Sequence, residues 1–419
     1  MNVLFVTPAY PPFPGGGERY VRSLALALVE QGHRVTAVTS HAQTEPDFWQ
    51  GTPGKQTVNE RLDGVSVVRC PLRPFPGGRN GLLVWRKGMV LLSMLPGDHT
   101  KILTKTARFI PPFSQLEKTL TGLPDQFDLV HAFNLSWEHA ATAGWQFARH
   151  NQMPFVVTPF IHLGTGNDRV VRNSTMDHQL HLMQNADRVL VLTAVEEKGL
   201  AELGIPQPKL DVIGGGLDPL PALPDVDKLL ERLGVQRPFV ICVGRASYEK
   251  GTLHAAQAVL ALRQQGSPIS LVQVGQISPE FNRFLSRLDD ESRQAIRPLG
   301  ILNESDKHGL ISEASILLLP SRTDSFGIVL LEAWAHGKPV IGARAGGIPG
   351  VVDDEQNGLL VNFGDVAGLS AAIEKLLTNP QLNQQMGQHG RQKVTATYAW
   401  DKVAARVVEN YRAILTVPQ

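Results

Sequence analysis

The chain reads as an α/β protein built from two Rossmann-like halves. Three features carry that reading: its length, the alternation of short aliphatic runs with helical stretches, and a proline-rich break near the middle. At 419 residues it exceeds what one ordinary core holds, so two domains of about 200 residues each are expected. Runs such as residues 3–7, 239–244 and 316–319 are continuously aliphatic, as strands are when helices cover both faces of a parallel sheet. Between them, apolar residues recur at helical spacing.

The first unit opens on a strand at residues 3–7, followed by the proline-stiffened, glycine-rich loop PPFPGGG. A helix follows, with Tyr20, Val21, Leu24, Ala25, Leu28 and Val29 on one face, until Gly32 stops it and residues 35–39 form a second strand. Gly15, Gly16 and Gly17 lack the G-x-G-x-x-G spacing of a dinucleotide site, which weakens a nicotinamide or flavin reading. Such a turn either packs a helix or lets backbone approach a phosphate or sugar. Residues 41–61 are polar and read as an exposed loop.

Residues 79–108 then interleave Arg79, Arg86, Lys87, Lys101, Lys105 and Arg108 with leucines, valine, methionine and Trp85, a pair of basic amphipathic helices. They are either core helices with a solvated basic face or a peripheral contact with an anionic membrane or lipid-linked acceptor. Short strands follow at 128–133, 155–158, 188–193 and 210–213. His131 and His162 fall at or just beyond strand ends, where open α/β sheets place ligand-contacting groups and where a histidine also commonly satisfies a loop carbonyl.

Residues 217–227, LDPLPALPDVD, form a linker, so the units are read as 1–217, with the amphipathic stretch 400–419 packing back on it, and 218–399. Asp225-Val226-Asp227 resembles a metal-holding D-x-D, but it precedes a helical run and reads as its cap. No metal site is expected. The second unit opens at residues 239–244 and turns through GRASYEKG, in which Arg245 supplies a planar fork and Lys250 a point charge suited to a diphosphate. Their alternative is a surface pairing with Glu249.

The stretch 320–340, PSRTDSFGIVLLEAWAHGKPV, ends a strand and opens a helix near Gly327, with Asp324 or Ser325 available as its cap and free amides facing the turn. Glu332 sits among aliphatic residues, where a carboxylate needs donors: either a buried Arg or a ribose diol.

A net charge of +1 gives no general attraction to nucleic acid. Two cysteines, Cys70 and Cys242, make no disulfide framework, and the longest apolar tract, 89–95, is far short of the ~20 residues that span a bilayer. A cytoplasmic location is expected, with peripheral contact at the inner membrane face as the variant reading.

D-S-F-G-I-V-L-L-E at 324–332 resembles the E-x7-E motif of the retaining, nucleotide-sugar-dependent glycosyltransferases of family 4, with Asp324 replacing the usual first Glu. G-R-x4-K-G at 244–251 matches that family residue by residue, GGxER resembles its N-terminal loop, and VHAFN its His-bearing segment. The resemblance implies the GT-B architecture, two Rossmann-like domains whose parallel sheets face a central cleft. It implies a metal-independent hexosyl transfer, with retention, from a nucleoside-diphosphate sugar, slightly favouring UDP, to a glycan, lipid-linked or small-molecule hydroxyl.

By the same resemblance Arg245, Lys250, Asp324 and His131 are catalytic. Gly16, Gly17, Gly244, Leu299, Ser325, Phe326, Gly327, Ile328 and Glu332 hold the donor, and Glu18 and His162 lie on the acceptor side. A GT-B sugar-nucleotide epimerase and a non-catalytic sugar-nucleotide binder are the alternatives.

Overall fold

The computed structural model describes residues 1–52, 56–161 and 169–416. Within them the chain forms two compact units, one from residues 1–161, 169–216 and 400–416, the other from 217–399.

The first unit holds eight strands: β1 (Asn2–Val6), β2 (Arg34–Ser40), β3 (Val58–Leu62), β4 (Val65–Cys70), β5 (Leu129–Phe133), β6 (Phe155–Thr158), β7 (Arg188–Val191) and β8 (Leu210–Val212). Their order across the sheet is β3-β4-β2-β1-β5-β6-β7-β8, parallel except for β3. Every residue of β1, β5 and β6 is buried, as the continuous aliphatic runs require when helices cover both faces.

The stretch expected as an exposed loop is partly structured. Asp47–Gln50 is a helical turn whose Phe48 is buried against Phe13 and Trp137, and β3 forms an antiparallel hairpin with β4. The hairpin turns on Asp63-Gly64, both at positive φ, which is the pair that fits the twist of a two-residue turn.

The second unit holds six parallel strands: β9 (Phe239–Val243), β10 (Ser270–Val274), β11 (Ile296–Gly300), β12 (Ile316–Leu319), β13 (Val340–Ala343) and β14 (Gly358–Val361), ordered β11-β10-β9-β12-β13-β14. Val240, Leu271, Ile316 and Ile341 centre its core. In both sheets the strand order reverses once, between β1 and β5 and between β9 and β12. At such a point the loops leaving the carboxyl ends of the two neighbouring strands diverge to opposite faces and open a crevice.

The Trp400–Leu415 helix belongs to the first unit, where Val403, Ala404, Val407, Val408 and Tyr411 are buried. Arg406 Nη2 donates to Ile213 O at 2.7 Å and Asn410 Nδ2 to Asp211 Oδ2 at 2.6 Å, anchoring it beside β8. Among the described residues no helix is long and apolar enough to cross a membrane.

His131 lies inside β5, wholly buried, with Nδ1 2.6 Å from Tyr411 Oη and Nε2 2.8 Å from Thr158 Oγ1, and its ring stacks on Phe133. Burial holds its pKa well below the usual histidine value, so the ring is neutral and ties the last helix to the sheet. Tyr411→Phe should leave a buried ring nitrogen unpaired, lowering stability by about 1–3 kcal/mol. A fall in the thermal midpoint of the full chain checks this, and an unchanged midpoint would contradict it.

Candidate active site

The richest chemistry sits at the reversal point of the second sheet, where the loop after β9 meets the loop after β12. Lys250 Nζ lies 2.8 Å from Asp324 Oδ1, and its neighbour Glu249 forks onto Arg322, with Nη2 to Oε1 at 2.9 Å and Nε to Oε2 at 2.5 Å. Backbone contacts follow the same path, with Arg322 N–H donating to Glu249 O at 3.1 Å. Gly251, at φ +69°, brings the first loop so close that a Cβ there would lie 2.0 Å from Pro320 O, so no other residue fits without displacing the strand end. The loop after β13 joins from the other side, Gly347 N–H donating to Asp324 O at 2.7 Å. The Arg322 guanidinium also lies 5.6 Å from the Tyr248 ring centroid and 5.2 Å from that of Phe363, so its plane is held on two sides.

Arg245 projects into solvent from this loop and forms no hydrogen bond or ion pair among the described residues. Gly244 ends β9 beside β10, its N–H donating to Val274 O at 2.9 Å, and Gly275 N–H donates to Gly300 O at 2.7 Å. Leu299 lies at the carboxyl end of edge strand β11, on the same rim but two strands from β9. Side-chain-free backbone therefore runs along this rim, which sequence reading marked only at Gly244.

The helix after β12 spans Ile328–Ala335, and its cap is Gly327 at φ +85°, with no capping side chain. The expected cap, Asp324 or Ser325, is thus corrected: Asp324 faces Lys250, and the turn instead uses glycine. Leu330 N–H makes the first helical bond to Gly327 O at 2.9 Å, so the Ile328 and Val329 amides precede it. Phe326 offers only backbone, because its ring is buried edge-on to Tyr398 at 5.4 Å.

Glu332, one turn into the helix and 2 % exposed, is not isolated. Its Oε1 lies 2.9 Å from Lys307 Nζ, which also reaches Glu304 Oε2 at 2.8 Å. Lys307 carried no signal in the sequence, since its helix (Glu304–Glu313) joins Glu332 only in three dimensions. Glu304, His308 and Glu332 bring ligand-type atoms within 4.8 Å of one another. The Lys307 ammonium stands between the two carboxylates, however, and a divalent ion there would meet a full positive charge. Asp225 caps the Val226–Leu233 helix by accepting from Lys228 N, as expected.

In the first unit, Gly16 and Gly17 open the Gly16–Glu30 helix, and the Phe160 ring closes over Gly17. Glu18 is buried, with its carboxylate folded back over Gly15, and burial raises its pKa. It closes its own helix terminus. His162 lies outside the described residues. The structure therefore gathers Gly244, Arg245, Lys250, Asp324, Ser325, Gly327 and Ile328 around one pair of adjoining loops, and does not bring His131 or Glu18 to a surface.

Two family profiles match the chain, "Glycosyl transferase 4-like domain" over residues 15–216 and "Glycosyl transferases group 1" over 228–393. The chain belongs to this glycosyltransferase family. It is similar to a glycogen synthase of Mycobacterium tuberculosis, 28% identical over 99% of this chain and 95% of that protein. It is likewise similar to a D-inositol 3-phosphate glycosyltransferase of Corynebacterium urealyticum, 26% identical over 97% and 92%. Among solved structures, sucrose-phosphate synthase from Thermosynechococcus elongatus superposes with a TM-score of 0.74 at 21% identity, covering 99% of each chain. Anabaena HepE in complex with UDP and glucose gives 0.71 at 18%, covering 100% of each. The fold is thus GT-B and the enzyme a glycosyltransferase.

The Glu249–Arg322 fork holds the loop that carries Lys250 and Asp324. Glu249→Gln and Arg322→Gln should each slow transfer by about tenfold or more, given the sensitivity of rate to small misplacements. The double variant should be no slower than the worse single one, because both break the same tie. Multiplying losses in a kinetic double-mutant cycle would refute the coupling.

Proposed function

We propose that this glycosyltransferase moves a hexosyl unit, with retention of configuration, from a nucleoside-diphosphate sugar to a hydroxyl of a glycan, a lipid-linked sugar or a small molecule. The observation that carries the reading is the pairing of Lys250 with Asp324 across two glycine-bounded loops, beside an Arg245 that has no partner of its own among the described residues. In this reading Arg245 and Lys250 bind the diphosphate and neutralise the charge that grows on it as the bond to the sugar carbon breaks. The amides of Ile328 and Val329 add the positive end of the helix dipole. Asp324 both fixes the Lys250 ammonium and accepts from sugar hydroxyls, while Glu332, held by Lys307, takes the ribose.

The acceptor oxygen bonds to the sugar carbon on the face the diphosphate leaves, and the acceptor proton passes to the departing phosphate oxygen. Two cations do the electrostatic work that a divalent metal does elsewhere, so metal independence is part of the proposal. The complexes of HepE with UDP and with UDP-glucose support a uridine donor by analogy.

Arg245→Ala and Lys250→Ala should each reduce transfer by about a hundredfold or more with little change in thermal midpoint. Rates like the wild type in both would overturn the reading. A thermal-shift screen against UDP-, GDP- and ADP-sugars identifies the base, since a ligand bound by the native state raises the midpoint with its affinity. Chelation by EDTA should leave the rate unchanged, and a loss restored by a divalent cation would refute the metal-free mechanism.

A further inference from the structure

The helices Gly78–Ser93 and Thr100–Ala107 carry an outer face that the protein leaves uncovered. Of the fourteen large apolar side chains exposed among the described residues, eight fall between positions 83 and 109: Leu83, Val84, Trp85, Leu91, Met94, Leu95, Ile102 and Phe109. Val84 is 70 % and Leu91 64 % exposed. These two lie on one side of the first helix, at i and i+7. Its opposite side already packs Leu82 and Met89 into a small core with Phe75, Leu103, Ala107 and Ile110. The helix is therefore apolar on two faces with only one of them buried, which a water-facing helix does not need. Trp85 and Phe109 meet edge to face at 5.5 Å and bridge the two helices, the indole N–H donating to Thr106 O at 3.4 Å, so an aromatic body stands outward with its polar tip satisfied.

Cations are interleaved with this apolar face. Arg79, Lys87, Lys101, Lys105 and Arg108 are exposed, against a single acid, Asp98, in the same stretch. Lys87 and Lys105 form no ion pair among the described residues. Arg86 alone turns inward, where it donates to Glu138 Oε2 at 3.1 Å, to Ser136 O at 2.9 Å and to Asn173 O at 2.8 Å. That inward clamp holds the helix in place while its outer side stays open. A second copy of the same cationic face would be repelled. An anionic bilayer surface offers both a hydrocarbon boundary for the leucines and a negative potential for the lysines.

We propose that the outer face of these two helices docks on the surface of a membrane rich in anionic lipid. The contact lies in the headgroup layer, with no segment crossing the bilayer, and it does not depend on the donor reading.

Co-sedimentation of the full chain with phosphatidylcholine vesicles, with and without about one quarter phosphatidylglycerol, tests it. Binding should appear only with the anionic lipid and weaken as salt rises. Lys87→Glu and Lys105→Glu should each weaken it by about fivefold or more, and Leu91→Asp comparably, while the thermal midpoint and the donor-induced thermal shift stay as in the wild type. Absence of binding to the anionic vesicles at low salt would overturn the proposal. So would binding that these three variants leave intact, or light scattering that shows a dimer dissociated by Leu91→Asp, which would assign the face to a second copy.

Discussion

Two ion pairs laid side by side, Glu249 with Arg322 and Lys250 with Asp324, join the loops that leave β9 and β12. Neighbouring parallel strands at a reversal point send their connections to opposite faces, so those loops would otherwise diverge. Partly exposed pairs of this kind contribute little to stability on their own, because solvent screens the attraction and ordering long side chains costs entropy. Their effect here is positional. Arg322 is held by a two-point fork and by two rings, and the adjoining pair inherits that order. A lysine already fixed against a carboxylate needs little rearrangement when a second anion arrives, which is how preorganised charge lowers a barrier.

Both units bury carboxylates, and each supplies them with partners from elsewhere in the chain. In the first, Glu138 and Glu196 are almost fully enclosed and spend their oxygens on the protein itself: Glu196 accepts from Leu192 N at 2.8 Å and Ile161 N at 3.1 Å, yet burial still pushes its pKa up to about 7. In the second, Lys307 supplies a cation to Glu332 inside an apolar helix, as Arg86 does to Glu138 in the first.

Much of the fold was legible because parallel strands bury both faces and leave unbroken aliphatic runs. The β9 and β12 loops were legible for a related reason: phosphate chemistry needs cations and glycines close together in sequence. Partners separated along the chain left no such trace. Glu249 was weighed against Arg245 and Lys250, its neighbours, whereas the fork it makes is with Arg322 on another strand's loop. Lys307 and Tyr411 gave no local sign either. The burial of His131 was not legible either, because a strand's carboxyl end and its interior differ by only two residues. The Asp63-Gly64 turn was readable from the dipeptide alone but lay just past the 41–61 stretch whose polarity spoke for a loop.

The Trp400–Leu415 helix gives the chain an unusual order of assembly. The first unit is interrupted by the whole of the second, and its hydrophobic interior is closed by a stretch translated after the second unit. Until the ribosome releases that helix, the ring of His131 lacks its phenol partner and the helix Gly16–Glu30 lacks a neighbour, although the sheet they belong to was synthesised long before. The first unit is thus completed only after the second has been made, so its core stays unsealed while the second is translated.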